Sequence, residues 1–97
     1  MSVVETVRFR LVPGADAEAF LEADRRVQVE VVPTRAGFLR RTTARGEGGE
    51  WLVVSLWQSI ADADAALEET EDHPAMREFL SLVEAPSFER RCYETLD

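Results

Sequence analysis

Trp51-Leu52-Val53-Val54-Ser55-Leu56-Trp57 is the stretch whose reading decides the fold. In a strand successive side chains point to opposite faces. Trp51, Val53, Ser55 and Trp57 then share one face, and Leu52, Val54 and Leu56 share the other. A strand with one wet face alternates apolar with polar residues; this one is apolar on both sides. Burying each such aliphatic side chain contributes roughly 1.5–3 kcal/mol, a large share of a small domain's net stability. Both faces are therefore expected to be covered.

Working outward, Phe38 to Arg45 reads as a strand joined to this one through Gly46-Glu47-Gly48-Gly49, a hairpin loop longer than two residues. Nearer the N-terminus, Val3, Glu5, Val7, Phe9 and Leu11 alternate with Val4, Thr6, Arg8, Arg10 and Val12 as a first strand, which Pro13-Gly14 ends. Residues 15–31 predict a helix carrying Ala17, Phe20, Val27 and Val31 near helical spacing. The valines at 27, 29, 31 and 32 work against it, because β-branched side chains lose rotamer freedom in helices. On the other side, Ser59 followed by Asp62 predicts an N-cap opening an Ala-rich helix through about Thr70. His73-Pro74 interrupts it, and a fresh helical segment is expected from Pro74 to Val83, with Met76, Phe79, Leu80 and Val83 as its apolar stripe. Residues 87–96 predict a last strand.

The order β-α-β-β-α-β is the split βαβ, ferredoxin-like arrangement of an α+β domain: helices on one face of a four-stranded antiparallel sheet. No helix is left to spare for the other face of Leu52, Val54 and Leu56. A second copy supplying its own sheet is the expected cover, since homodimers usually close by two-fold symmetry. Residues 1–97 are read as a single domain, without repeat, low-complexity tract or linker.

The net charge of −8 argues against general nucleic-acid binding, which needs a basic footprint. All basic residues are Arg, and most fall in predicted strands: Arg8, Arg10, Arg40, Arg41, Arg45, Arg90 and Arg91. Arginines so placed pair with acids across strands or interfaces, or meet an anionic ligand. No apolar run is long enough to span a membrane. MSVVETVRFRL lacks the features of a signal peptide, so a cytoplasmic location is expected. Cys92, the one cysteine, has no partner for an internal disulfide and reads as a small strand hydrophobe.

Few side chains invite chemistry. His73 is the one group whose ordinary pKa suits a base near neutrality, though beside Pro74 at a helix start it equally reads as a cap. Trp57 offers a face for stacking and an indole N–H, or serves as a core aromatic. Asp24 falls beside the apolar stripe of the first helix, where a carboxylate is costly unless paired. It is either a raised-pKa acid in a pocket or the ion-pair partner of a sheet Arg. Glu5, among valines and a phenylalanine, raises the same question, and Tyr93 reads as a ligand-orienting, interface or core residue. There is no metal-ligand cluster, phosphate loop or nucleotide fingerprint.

The strand VRFRLVPG leading to a helix with Phe20 and Leu21, the PTRAGFLRR passage, Trp57-Gln58-Ser59 before an Ala-rich helix, and the closing PSFERRCYETL together resemble the antibiotic-biosynthesis-monooxygenase domain over nearly the whole chain. That resemblance implies a dimeric α/β barrel in which two sheets face each other, with small aromatic or polyketide-like ligands held between sheet and helices. It implies cofactor-independent oxygenation for several members, so no cofactor and no metal are expected here. Haem-degrading members carry an Asn where this chain has Val7, and a Trp in the helix after the third strand, so haem degradation is not expected. The Asn associated with the strand-end Trp in some quinone-forming members has no counterpart near Val53 and Ser55. His73 resembles the His often found before the second part of the helical region. The resulting candidates are His73, Asp24 and Trp57 for catalysis, and Phe20, Phe79 and Tyr93 for ligand contact. The alternatives are a non-catalytic barrel binding a small hydrophobic ligand and a polyketide cyclase or isomerase on the same scaffold.

Overall fold

The computed structural model describes residues 1–97, and its strands form one antiparallel sheet. Strand β1 spans Val3–Arg10, β2 Phe38–Arg45, β3 Glu50–Trp57 and β4 Glu89–Glu94, arranged β2-β3-β1-β4. Helices α1 (Ala17–Arg26), α2 (Ile60–Thr70) and α3 (Pro74–Ser81) pack on one face. This is the α+β, split βαβ order expected from the alternation of the strands.

Local chemistry explains each boundary. Asp16 caps α1, its carboxylate accepting the Glu18 N–H. Ser59 caps α2 by accepting the Asp62 N–H at 3.1 Å. Pro74 occupies the first turn of α3, where its missing N–H costs nothing. Gly37, before β2, has φ +78, and a Cβ there would lie 2.1 Å from the Asp62 carboxylate. Only glycine satisfies both the left-handed backbone and that approach.

The first helix departs from the expected regular run over 15–31. Regular α-structure stops at Arg26, and Val27–Val31 forms a wider π turn followed by a 3-10 turn, Val32–Thr34. The Val32 N–H bonds to the Val27 carbonyl, five residues back. Pro33 lacks an N–H and its ring would strike a carbonyl one turn earlier, while the valines resist tight α-packing. Widening the turn brings Val27, Val31 and Val32 all into the core and leaves Val29 at the surface.

Register fixes the faces of the sheet. Val3 pairs with Trp57 and Glu94, Val7 with Val53 and Arg90, and Phe9 with Trp51. The inner face therefore carries Val3, Glu5, Val7 and Phe9 from β1 and Trp51, Val53, Ser55 and Trp57 from β3. Phe9, Phe20, Trp51 and Phe79 form an aromatic cluster there, with ring centroids 4.7–5.7 Å apart. On the outer face Val4, Leu52, Val54 and Leu56 are only half-buried, because no helix of the chain lies over them. No helix is long and apolar enough to cross a membrane.

Candidate functional site

Between the sheet and the helices lies a cavity of about 560 Å³. Its floor is the inner sheet face: Val7 and Glu5 from β1, Val53, Ser55 and Trp57 from β3, and Arg41 from β2. Alanines of α2, Ala63 and Ala66, form part of the roof, with Met76 and Phe79 of α3 beside them. Val27 and Val32, turned inward by the π turn, close one side. The rim between α2 and α3 includes Leu67, Glu71 and Leu80, all solvent-exposed. Small side chains opposite a strand bearing Ser55 leave the space unfilled. The volume lies within the roughly 300–1,000 Å³ range of ligand pockets, and the predominance of apolar lining is typical of them.

Two buried ion pairs bound the floor. At one end the Arg41 guanidinium meets Asp24 at 2.7 Å, with side chains 5% and 12% exposed. Gln28 also accepts from Arg41 at 3.2 Å, and the Thr43 hydroxyl donates to Asp24 at 3.0 Å. The guanidinium carbon lies 5.8 Å from the centre of the Phe79 ring. At the other end the Glu5 carboxylate accepts from the Trp57 indole N–H at 3.0 Å and from Arg90 Nε at 2.5 Å. Arg90 reaches on to Asp64 at 3.0 Å. Burial disfavours the Arg90 cation, yet its hydrogen bonds to Glu5 and Asp64 outweigh that and raise its pKa. Burial also pushes the Cys92 thiol up, so it persists as the neutral small hydrophobe expected of it.

The predicted site residues separate in space. Trp57 and Phe79 line the cavity. Asp24 sits beneath its wall as the partner of Arg41, which accounts for a carboxylate on an apolar stripe. His73 is not on the wall: its Nδ1 accepts the Ala75 N–H at 3.1 Å and caps α3. Phe20 is wholly buried in the aromatic cluster, away from the cavity. Tyr93 points to the outer face, because its register partner Val4 does, and it is half-exposed. Arg41 and Ser55 were not singled out as site residues by the sequence. Their signal was register: an inward Arg on β2 directly beside the one polar residue on the inner face of β3.

An α+β sheet with helices on one side and a ligand-sized hollow beneath them is the class of domain that fold and site define. Among solved structures of this architecture, SnoaB, a cofactor-independent oxygenase from Streptomyces nogalater, matches with a TM-score of 0.80 at 16% identity, over 99% of this chain and 94% of that chain. A Bordetella bronchiseptica protein provisionally named an antibiotic biosynthesis monooxygenase matches with a TM-score of 0.81 at 11% identity, over 98% and 97%. One from Nitrosomonas europaea, with the same provisional name, gives 0.76 at 18% identity, over 98% and 90%. No protein-family model matches this chain, and no curated protein matches it by sequence. The domain is thus antibiotic-biosynthesis-monooxygenase-like in fold, and at these identities the likeness is one of fold.

Proposed function

We propose that this chain is a cofactor-independent oxygenase acting on a flat, weakly acidic aromatic or polyketide-like compound, and that it works as a homodimer joined through the open sheet face. The observation that carries the reading is the hollow of about 560 Å³, mostly apolar, with Glu5, Ser55 and Arg41 on its floor. A substrate of this kind loses a proton from a CH₂ group conjugated to a carbonyl, and the anion gives electrons to molecular oxygen. Turning that CH₂ into a carbonyl removes four electrons from the substrate. They reduce one O₂ to the new carbonyl oxygen and one water, so no other reductant enters. The protein's part is to exclude water, orient the ring plane against Trp57 and Phe79, and hold the anion with fixed dipoles. The half-buried Val4, Leu52, Val54 and Leu56 support pairing of two sheets.

Anthrone incubated with the protein under air and under nitrogen tests the reaction. Anthraquinone is expected under air, faster than in buffer, and none under nitrogen. Oxygen-independent conversion would move the assignment to a cyclase or isomerase. One observation favours the non-catalytic alternative: Arg41 and Glu5 are already paired within the chain. Saturable binding without conversion would select it, and absence of binding would overturn both. Sedimentation equilibrium is expected to give twice the 10.9 kDa of the chain; a folded lone chain would overturn the paired sheets.

A further inference from the structure

Strand pairing places Arg41, Ser55 and Glu5 in one row across the cavity floor, for Arg41 pairs with Ser55 and Ser55 with Glu5. A cation stands at one end, a carboxylate at the other, and a hydroxyl between them. Ser55 is 5% exposed, and its hydroxyl faces the cavity without a hydrogen-bond partner in the chain. That hydroxyl is not sealed off from the hollow, so a ligand oxygen entering there can accept a hydrogen bond from it.

We infer that Glu5 is the group that takes the proton from the bound ligand, while Ser55 and Arg41 hold the oxygen on which the negative charge gathers. The inference rests on the small-molecule reading above. Glu5 is held in place rather than sealed off. Trp57 fixes one carboxylate oxygen and Arg90 the other, and each oxygen keeps a second lone pair. Trp57 and Arg90 are positioning residues. In the step itself a C–H bond of the ligand breaks and its proton forms an O–H bond on Glu5. The electron pair moves through the ring to the carbonyl oxygen. That oxygen meets the Ser55 hydroxyl and the Arg41 Nε–H, which Asp24, Gln28 and Thr43 leave free. In a tricyclic ketone the acidic carbon and the carbonyl lie across one six-membered ring, a span comparable with the roughly 4.8 Å between neighbouring strands. Of the other groups that could act as a base, Asp24 lies under the wall beside Arg41, His73 caps α3 off the wall, and Glu71 stands on the solvent-exposed rim rather than in the row on the floor.

Proton removal is separable from oxygenation by working under nitrogen in D₂O and following deuterium entry at the acidic carbon of anthrone. Binding is followed in parallel by quenching of tryptophan fluorescence. The wild-type protein is expected to accelerate exchange over buffer. Glu5→Gln should lower that acceleration by roughly a hundredfold or more, the usual size of a general-base contribution. Ser55→Ala should lower it about tenfold, as loss of one hydrogen bond to the anion would, with a smaller loss of affinity for neutral anthrone. Glu5→Asp, which keeps the charge but withdraws it by one methylene, covers the case in which Glu5→Gln fails to fold, and should also slow exchange. A folded Glu5→Gln or Glu5→Asp protein exchanging at the wild-type rate would overturn the role of Glu5; continued oxidation in air would then leave the oxygenase reading intact. Wild-type binding without exchange would likewise overturn the inference alone. Failure of the wild type to bind anthrone would overturn both.

Discussion

The two halves of the helix–sheet interface are built from the same elements yet end in opposite states. Where α1 and α3 cross β1 and β3, Phe9, Phe20, Trp51 and Phe79 interlock in edge-to-face and tilted pairs, and Ala23 and Ala75 are completely buried. Where α2 crosses the same sheet, Ala63 and Ala66 pack on Trp57 but leave the space over Ser55 open. Small residues on a helix thus mean close approach in one half and a hollow in the other. What differs is the partner: aromatic rings fill the first gap, while the floor of the second ends in two ion pairs with the small Ser55 between them. Stability is concentrated in one half, and the second is free to receive a ligand.

Substitutions in the two halves should therefore behave differently. The largest effect is expected from Phe20→Ala, which removes the centre of the aromatic cluster. About 3–5 kcal/mol should be lost, measured by urea unfolding; a loss under about 1 kcal/mol would erase the contrast. Next comes Asp24→Ala, which leaves the Arg41 guanidinium buried without its carboxylate. A loss of roughly 2–3 kcal/mol is expected, below the 3–5 of fully severed buried pairs, because Gln28 and Thr43 remain as partners. The same change of alanine to leucine made in each half sharpens the comparison further. Ala23→Leu should cost about 1–3 kcal/mol through overpacking. Ala66→Leu should shift stability by less than about 1 kcal/mol while weakening anthrone binding tenfold or more. His73→Ala should cost around 1 kcal/mol through loss of its cap and leave anthrone turnover unchanged; a collapse of turnover would return His73 to the site. The smallest effect concerns Cys92. Since burial disfavours its thiolate, alkylation should accelerate only at a higher pH than for free cysteine, and a normal pH profile would show that strand β4 opens readily.

Much of the fold was legible because it is written in local patterns. The two apolar faces of residues 51–57, the Ser59 cap, and the Pro33 and Pro74 boundaries each follow from the chemistry of neighbouring residues. The site was less legible, because a hollow is an absence, and no periodicity announces what fails to fill a space. Asp24 was suspect from its place on an apolar stripe, but its partner Arg41 is 17 residues away and only the packing of α1 on β2 joins them. Glu5 was suspect for the same reason, and the structure sets it beside Trp57 on the floor. Phe20 reads as a ligand contact from the sequence because large aromatics suit both cores and pockets, and spacing alone does not tell which. Tyr93 reads equally as a ligand contact, an interface residue or a core residue, because the short alternating run of β4 does not reveal which face is inward until it is paired with β1, which puts Tyr93 on the outer face.

The widened turn at Val27–Val31 has a consequence for how chains of this shape are compared. It holds one more residue than an α-helix would between the same two anchor points. Against a relative whose first helix is unbroken, correct superposition demands a gap inside a helix, a place where gaps are ordinarily forbidden. Positions on either side of it then correspond only in three dimensions, so a letter-by-letter comparison that keeps the helix whole slips out of step from Val27 onward.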